Sequence, residues 1–246
     1  QGRRFRQPIT AWAGGGTTET TRDIVQHELL GSPDDPEAFG SGTIPRSCII
    51  KTERKPGVPN AKSMALIRHV SGGNSSLFFK SYEAGSEKWQ GKSVDAIWLD
   101  EEPPRDIYSQ AVTRTLDRRG MVYMTFTPEN GMTETVASFM NNLKPGQSLN
   151  NATWDDATEK VMTTLRGEPG HLNEAVMEQI LSSYAPHERE MRRNGRPSIG
   201  SGLVFPVPEE NLTVTDLVVE DYWPKIAGID FGFDHPTAVV WAALDP

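Results

Sequence analysis

An apolar run near the middle of the chain ends abruptly in three carboxylates, Asp100, Glu101 and Glu102. Residues 93–99 have the pattern of a buried strand, and the carboxyl ends of parallel strands open on the crevice where such sheets bind ligands. An Asp there can hold nucleotide-bound Mg²⁺, and the next Glu can orient and deprotonate the attacking water. The pattern predicts Asp100 as a metal- and cofactor-binding residue and Glu101 as catalytic; the alternative is an acidic strand end facing solvent.

Two hydroxyl side chains, Thr125 and Thr127, stand at the end of the next predicted strand, residues 121–126. A single helix, predicted over residues 106–116, separates the two strands. Such crossovers place the carboxyl ends of both strands on the same edge of the sheet. The two threonines are therefore expected beside Asp100, where their hydroxyls could sense the γ-phosphate of a nucleotide. Ordinary capping of the strand end is the alternative.

A further carboxylate, Asp230, stands between Gly228 and Gly232 in an apolar run over residues 225–231. Burying a carboxylate is costly unless it binds a metal ion or accepts hydrogen bonds, and glycine lets backbone or ligand approach closely. We therefore expect Asp230 on a mostly buried strand as a catalytic metal ligand, with Asp234 as a candidate second ligand. Two-metal phosphodiester cleavage needs several such carboxylates. A turn-capping Asp is the alternative.

Two glycine-rich segments are rejected as phosphate-binding loops. Residues 85–93 have five residues between their glycines where the phosphate loop has four, and Ser93 precedes a predicted strand instead of a helix. Phosphate binding needs the amides of a helix N-terminus. Gly14–Gly16 do lie between a predicted strand and a helix, but no lysine follows them. A tight strand-to-helix turn is expected there.

The elements that must position these residues alternate between strands and helices. Strands are predicted over residues 8–13, 47–51, 65–70, 77–81, 93–99, 121–126, 225–231 and 237–244, and helices over residues 18–30, 106–116, 133–142, 172–184 and 187–194. This alternation predicts an α/β fold with a parallel sheet and flanking helices. Because residues 195–202 have linker composition, we expect three parts: residues 1–145, a helical subdomain and linker over 146–202, and a second sheet from 203 to 246.

Composition excludes several classes of protein. The 246 residues contain 25 Lys and Arg against 33 Asp and Glu, a net charge of −8, which excludes a polybasic coat on nucleic acid but not local basic patches. The single cysteine, Cys48, excludes a disulfide framework. No apolar run approaches the ~18 residues of a membrane span. A soluble protein without a membrane partner is expected, cut from a longer chain.

Arginines cluster near residue 190, at positions 189, 192, 193 and 196. Their spacing of three to four residues places several of them on one side of a predicted helix. Two interpretations stay open: contact with a DNA backbone, or a solvated helix end that favours cations.

Taken together, the motifs resemble those of the large subunits of tailed-bacteriophage terminases. Residues 89–104 resemble the Walker B region of that family, and residues 125–128 (Thr-Phe-Thr-Pro) its coupling motif. Residues 196–206 resemble the linker between its ATPase and nuclease domains, and residues 228–232 (Gly-Ile-Asp-Phe-Gly) the start of the nuclease domain. These motifs occur in the family's order across nearly the whole chain. The chain resembles an internal fragment of such a subunit.

The resemblance implies part of a P-loop-type ATPase sheet, then a linker and the first strands of a ribonuclease-H-like nuclease. The whole protein would drive double-stranded DNA into a procapsid by ATP hydrolysis and cut the concatemer. Asp100 would hold Mg²⁺, Glu101 would be the catalytic carboxylate, Thr125 and Thr127 would couple hydrolysis to movement, and Asp230 would bind Mg²⁺ or Mn²⁺ in the nuclease. The implied partners are the terminase small subunit, the portal protein and further copies in a homo-oligomeric ring, in the host cytoplasm.

In two respects the sequence departs from this family. It has no Walker A lysine in a proper phosphate loop, so that loop is expected upstream of Gln1, and the remaining nuclease carboxylates are expected beyond Pro246. The chain alone should therefore be inactive, because it lacks the main electrostatic cradle of the phosphates. Two other classes stay open: another nucleic-acid-dependent ATPase such as a helicase, which residues 228–232 argue against, and a non-catalytic scaffold with remnant acidic sites.

Overall fold

The computed structural model describes residues 4–140, 143, 145–150, 153–154, 173–197, 214, 216–232 and 237–245. It divides into two compact units, Gln1–Val204 and Phe205–Pro246. Much of the predicted linker (residues 198–202), Leu172 and Asp234 lie outside the described residues. No helix in the described part of the chain is long and apolar enough to cross a membrane.

The first unit contains six strands and five helices among its described residues. The strands are β1 (Thr10–Gly15), β2 (Ile49–Arg54), β3 (Lys62–Arg68), β4 (Asn74–Ser81), β5 (Ala96–Asp100) and β6 (Met121–Thr125). Helix α1 runs through Thr18–Thr20, a π-helical Thr21–Gln26 and His27–Leu30, and it is followed by α2 (Arg105–Thr115), α3 (Glu134–Met140), α4 (Glu174–Ser183) and α5 (Pro186–Asn194).

All six strands form one sheet in the order β2-β3-β4-β1-β5-β6. Strands β4, β1, β5 and β6 are parallel, whereas β2 and β3 extend the sheet in antiparallel fashion. The predicted α/β fold with a parallel sheet is confirmed, and the consecutive strands β3 and β4 pair as an antiparallel hairpin. Because the four parallel strands point the same way, their carboxyl ends share one edge of the sheet.

Two apolar clusters cover the faces of the sheet. One contains Trp12, Trp89 and Leu99 and extends to Ile107 of α2; the other contains Ala13 and Phe79 and extends to Val25 of α1. Successive residues of β1 alternate between the two clusters, as pleating requires. Strand β5 is anchored in the core, since its residues Ile97 and Leu99 are completely buried. Asp100, the next residue along, is thereby held at the edge of the sheet.

The turn between β1 and α1 is the tight strand-to-helix turn expected from Gly14–Gly16. Thr17 caps the helix by accepting a hydrogen bond from the Thr20 amide. The Glu83 carboxylate accepts a hydrogen bond of 2.7 Å from the Thr18 amide, which lowers the pKa of Glu83. A carboxylate of the protein itself thus occupies the position that a phosphate would take at this helix N-terminus.

Helix α4 does not bury the apolar residues that recur at four-residue spacing. Val176 and Ile180 of that set are exposed, whereas Met177 and Leu181 are buried. The two faces differ by one position, a rotation of about 100°. Helix α4 packs against α5, where Met191 is buried, and this contact decides the face.

The second unit contains an antiparallel pair, β7 (Lys225–Asp230) and β8 (Ala238–Ala243), in which Asp230 pairs with Ala238. The expectation of a mostly buried strand around Asp230 is wrong for the described residues. Every residue of both strands is exposed, and Ile229 retains 56% of its accessible surface. A two-stranded pair buries neither of its faces unless a further layer covers it.

Candidate active site

Asp100 and Thr125 are paired residues at the carboxyl ends of β5 and β6. The Thr125 hydroxyl donates a hydrogen bond of 2.8 Å to Asp100 Oδ1, and it accepts one of 2.8 Å from Trp98 Nε1. The indole N–H donates to a lone pair of the hydroxyl oxygen, and the hydroxyl donates its own proton to the carboxylate. The expected meeting of the two strand ends at one edge is confirmed, and Trp98 is a further member of this chain of hydrogen bonds.

The backbone turns sharply at Glu101. Its φ is +62°, the left-handed region that a non-glycine residue seldom adopts, and its amide donates a 2.7 Å hydrogen bond to the Thr125 carbonyl. Its carboxylate accepts a hydrogen bond from the Thr127 amide. Strained residues of this kind cluster at active sites, at a cost of order 1–3 kcal/mol each. The strain falls on the residue that the sequence predicted as catalytic.

The hydroxyl of a buried tyrosine, Tyr82, contacts the backbone at the carboxyl end of β5. Its hydroxyl lies 2.9 Å from the carbonyl oxygen of Asp100, to which it donates, and 3.2 Å from that of Glu101. Burial, and then the charges of Asp100 and Glu101, raise the pKa of Tyr82 far above its ordinary value, so the hydroxyl keeps its proton. Sequence reasoning missed Tyr82, because nothing in the pattern separates it from any other core aromatic.

Glu102 is hydrogen-bonded to Thr133, the residue before α3. The Thr133 hydroxyl donates to Glu102 Oε1 and accepts from the Val136 amide in the first turn of α3. Glu102 Oε2 is buried without a hydrogen-bond partner among the described residues. The third carboxylate of the motif therefore ties the loop after β5 to α3, whereas Asp100 and Glu101 are the members available for chemistry.

Burial raises the pKa of both candidate carboxylates. For Asp100 the main cause is burial, opposed by the hydrogen bond from Thr125. For Glu101 the main cause is also desolvation, followed by the charges of Asp100 and Glu129; the Thr127 amide and Arg192 act in the opposite direction. Elevated carboxylate pKa values are typical of groups that exchange protons during catalysis.

Arg192 connects α5 to this edge of the sheet. Its Nη1 lies 2.5 Å from Glu129 Oε1 in the loop after β6, and its guanidinium lies 4.8 Å from the centre of the Tyr184 ring. Its Nε is buried with no hydrogen-bond partner among the described residues. The sequence marked Arg192 only as one of a basic group; the structure places its charge near Glu101.

The neighbouring arginines bind within the fold. Arg189 donates to the carbonyls of Tyr184 and Ser182, each at 3.0 Å, and Arg193 pairs with Glu178 at 2.9 Å. These contacts within the helical region argue against the interpretation of the arginine group as a DNA-binding face.

The donor set at the edge suits Mg²⁺ bound to a nucleotide. Within the described ranges, no group of three or more His, Cys, Asp or Glu side chains could enclose a metal ion. Mg²⁺ is usually held by one or two carboxylates, with substrate phosphates and waters completing the shell. Asp100 matches this need: one oxygen is oriented by Thr125, and no hydrogen bond to the other occurs among the described residues.

Asp230 pairs with Ala238, and Gly228 pairs with Val240 on the same face of the second unit. The opposite face carries Ile229 and Trp241. Nothing in the described chain lies within 4 Å of the position that a Gly228 Cβ would occupy. Because Gly228 has no side chain and that of Ala238 is small, space is left beside the carboxylate.

Comparisons with a family model and with known proteins point to the same family. The model of the family described as "Terminase large subunit, T4likevirus-type, N-terminal" matches residues 5–212. The chain is 36% identical over 243 residues to the terminase large subunit of Salmonella phage P22, covering 97% of this chain and 46% of that protein. It is 34% identical over 237 residues to that of Enterobacteria phage LP7, covering 94% and 46%. The chain thus spans about half the length of these curated relatives.

Two solved structures were also found, both of the large terminase from one thermophilic bacteriophage. One has 13% sequence identity and a TM-score of 0.49, and covers 97% of this chain and 53% of that chain. The other, in complex with ADP, has 15% identity and a TM-score of 0.47 with the same coverage. The family match itself includes β5, β6 and the carboxylates between them, and the chain belongs to the terminase large-subunit family.

Proposed function

We propose that the chain is part of a viral genome-packaging motor, in which ATP hydrolysis at the edge formed by Asp100, Glu101 and Thr125 drives double-stranded DNA into a procapsid. The observation that carries this proposal is the Thr125–Asp100 hydrogen bond across two parallel strand ends, directly beside a strained Glu101. Family membership supports it. The proposal assigns the ATPase part to residues 1–145, a helical subdomain and linker to 146–202, and the start of a nuclease to 203–246.

Each side chain of the edge has a distinct role in this proposal. Asp100 would hold Mg²⁺, directly or through its waters; when bound, the ion neutralises charge on the phosphates. Glu101 orients the attacking water and takes its proton, a task suited to its raised pKa. Thr125 orients Asp100, and the Thr127 amide orients Glu101. Displacement of the segment from 125 to 127 would move both carboxylates at once, which links hydrolysis to movement.

The Asp100 assignment predicts weaker magnesium-dependent nucleotide binding in the Asp100→Asn variant of the full-length protein. The affinity for ATP in the presence of Mg²⁺ should fall about ten- to hundredfold, the loss typical of disturbing a metal-binding shell, while binding in EDTA stays unchanged. Fluorescent-nucleotide titration measures both. Asp106→Asn, the same change at an exposed position on α2, is the matched control. Equal binding by Asp100→Asn and wild type would show that the nucleotide site lies elsewhere.

Removing the charge of Arg192 and removing that of Glu129 should shift the acidic limb of the pH–rate profile in opposite directions. Glu101 must be deprotonated to act, so activity is lost as the pH falls through its pKa. Arg192 lowers that pKa and Glu129 raises it. Arg192→Gln should therefore move the acidic limb to higher pH, and Glu129→Gln should move it to lower pH. Steady-state phosphate release between pH 4 and 8 tests this; shifts of the same sign would contradict Glu101 as the titrating group.

The proposal extends to metal-dependent cutting of concatemeric DNA by the second unit, with Asp230 as a ligand for Mg²⁺ or Mn²⁺ and Asp234, outside the described residues, as a second ligand. The space beside Asp230 at Gly228 and Ala238 supports this role. We further propose three kinds of partner: a terminase small subunit, a portal protein and further copies of the protein in a ring. The protein would act in the host cytoplasm. The 246-residue chain alone would be inactive.

A further inference from the structure

Three lysines converge on one face of the sheet beside the candidate active site: Lys80 on β4, Lys88 in the 3₁₀ turn Ser86–Trp89, and Lys92 in the loop before β5. Lys80 Nζ donates to the carbonyl of Lys88 and lies 4.1 Å from the centre of the Trp12 ring. Lys92 Nζ lies 4.5 Å from the centre of the Phe78 ring. Because Phe78 and Lys80 are two positions apart on β4, they share a face. We call these three lysines the basic patch.

The charge of the basic patch is uncompensated. Among the described residues, no carboxylate forms an ion pair with any of its three lysines, and Lys88 and Lys92 are exposed. Burial, followed by the charges of Lys55, Lys88 and Lys92, lowers the pKa of Lys80 to about 8. Like charges gathered in this way repel one another, and an anion bound among them relieves that repulsion.

The position of the patch places it close to the site of hydrolysis. Lys80 pairs with Gly14 of β1, and Gly14 pairs with Leu99 of β5. Lys80 therefore lies level with the residue before Asp100, two strands away, or about 10 Å between backbones. An anion held by the patch would lie near the edge at which nucleotide hydrolysis is proposed.

The chemistry of the patch fits a phosphate backbone better than bases. Lysine binds phosphate as a point charge and reads no sequence. The rings beneath Lys80, Trp12 and Trp89, are buried, so they cannot serve as the stacking platform that single strands require. We propose that Lys80, Lys88 and Lys92 bind the phosphate backbone of duplex DNA, an inference that rests on the proposed function. The sequence had left this role open for the arginines of α5.

Salt dependence of DNA binding tests the proposal. The full-length protein, without nucleotide, is titrated with a fluorescent 30-base-pair duplex at several NaCl concentrations. In the variant with Lys80, Lys88 and Lys92 all changed to Gln, the slope of log Kobs against log[NaCl] should lose about 0.9 per lysine. At about 0.1 M salt the same relation gives a loss of affinity of at least tenfold. An unchanged slope would overturn the proposal.

A matched control removes three cations that already have carboxylate partners: Lys51→Gln, Arg105→Gln and Arg193→Gln, paired with Glu53, Glu134 and Glu178. The change in net charge is the same, and the slope should stay near that of the wild type. An equal loss in the control would mean that overall charge, not the patch, governs binding, which also overturns the proposal. Since Lys80 packs on Trp12, the double variant Lys88→Gln/Lys92→Gln, at exposed positions only, repeats the test if the triple variant melts early.

ATP hydrolysis separates failure of the patch from failure of the proposed function. A raised KM for ATP with an unchanged DNA slope would show that the patch binds nucleotide phosphates, and would overturn the DNA assignment alone. A reduced salt slope of DNA binding in the patch variant would support the patch as a DNA-binding site. If ATP hydrolysis nevertheless survived Glu101→Gln, the proposed catalytic role of the edge would be wrong while the DNA assignment held.

Discussion

Replacing Glu101 with Gln in the full-length protein is expected to lower ATP turnover by about 10²- to 10⁴-fold, the usual contribution of a general base. Gln keeps the size of the side chain and can still contact a water, but it cannot take a proton. Binding of Mg²⁺ and ATP should stay within about threefold of the wild type, because Asp100 and Thr125 are unchanged. Single-turnover phosphate release gives the rate, and equilibrium titration gives the affinity.

The control for this variant is Glu134→Gln, on the exposed first turn of α3, where Glu134 pairs loosely with Arg105 at 3.5 Å. It makes the same chemical change outside the edge, and turnover should remain near that of the wild type. Turnover by Glu101→Gln within about threefold of wild type would exclude Glu101 as the base. Absence of turnover in the wild-type full-length protein would favour a scaffold with remnant acidic residues.

Asp230→Asn should abolish metal-dependent DNA cleavage by the full-length protein while ATP hydrolysis continues at the wild-type rate. A catalytic metal ion contributes several kcal/mol to the transition state, so losing a ligand should slow cutting at least about a hundredfold. Hydrolysis should be spared because Asp230 and Asp100 lie in separate compact units. Plasmid nicking in Mg²⁺ or Mn²⁺, run beside phosphate release, measures both activities.

The melting temperature of the full-length Asp230→Asn variant checks that it is folded. Lost cleavage at an unchanged melting temperature assigns the loss to the carboxylate and not to unfolding. Asp216→Asn, exposed in the same unit, is the control and should cut DNA normally. Cleavage that survives Asp230→Asn would remove the nuclease assignment of residues 225–246; loss of ATP hydrolysis as well would contradict separate sites.

The main geometry of the edge could be predicted because it follows from local pattern and chain topology. An apolar run ending in carboxylates, one helix and a second run ending in threonines are enough to place Asp100 and Thr125 together, since parallel crossovers have a fixed hand. The strand-to-helix turn at Gly14–Gly16 follows in the same way from glycines, a capping threonine and the missing lysine. These features depend on neighbours in sequence.

Contacts between distant segments could not be predicted in this way. Tyr82 reaches Asp100 only because β1 inserts between β4 and β5, and a single sequence carries no signal of that order. The Glu129–Arg192 pair joins a loop to a helix 63 positions away. The buried face of α4 could not be predicted, because Val176 and Met177 are both apolar and packing on α5 selects between them. The burial of Asp230 was overestimated because apolar composition alone does not supply a covering layer.

A crystal structure of the full-length Glu101→Gln variant with ATP and Mg²⁺ would show whether nucleotide is hydrolysed at the edge formed by Asp100, Glu101 and Thr125. We expect the γ-phosphate at the carboxyl ends of β5 and β6, with Asp100 in contact with Mg²⁺ or its waters. We also expect the side-chain amide introduced at position 101 within hydrogen-bond reach of the water nearest the γ-phosphate. Nucleotide bound at another edge, or Asp100 remote from the metal ion, would contradict hydrolysis at this edge.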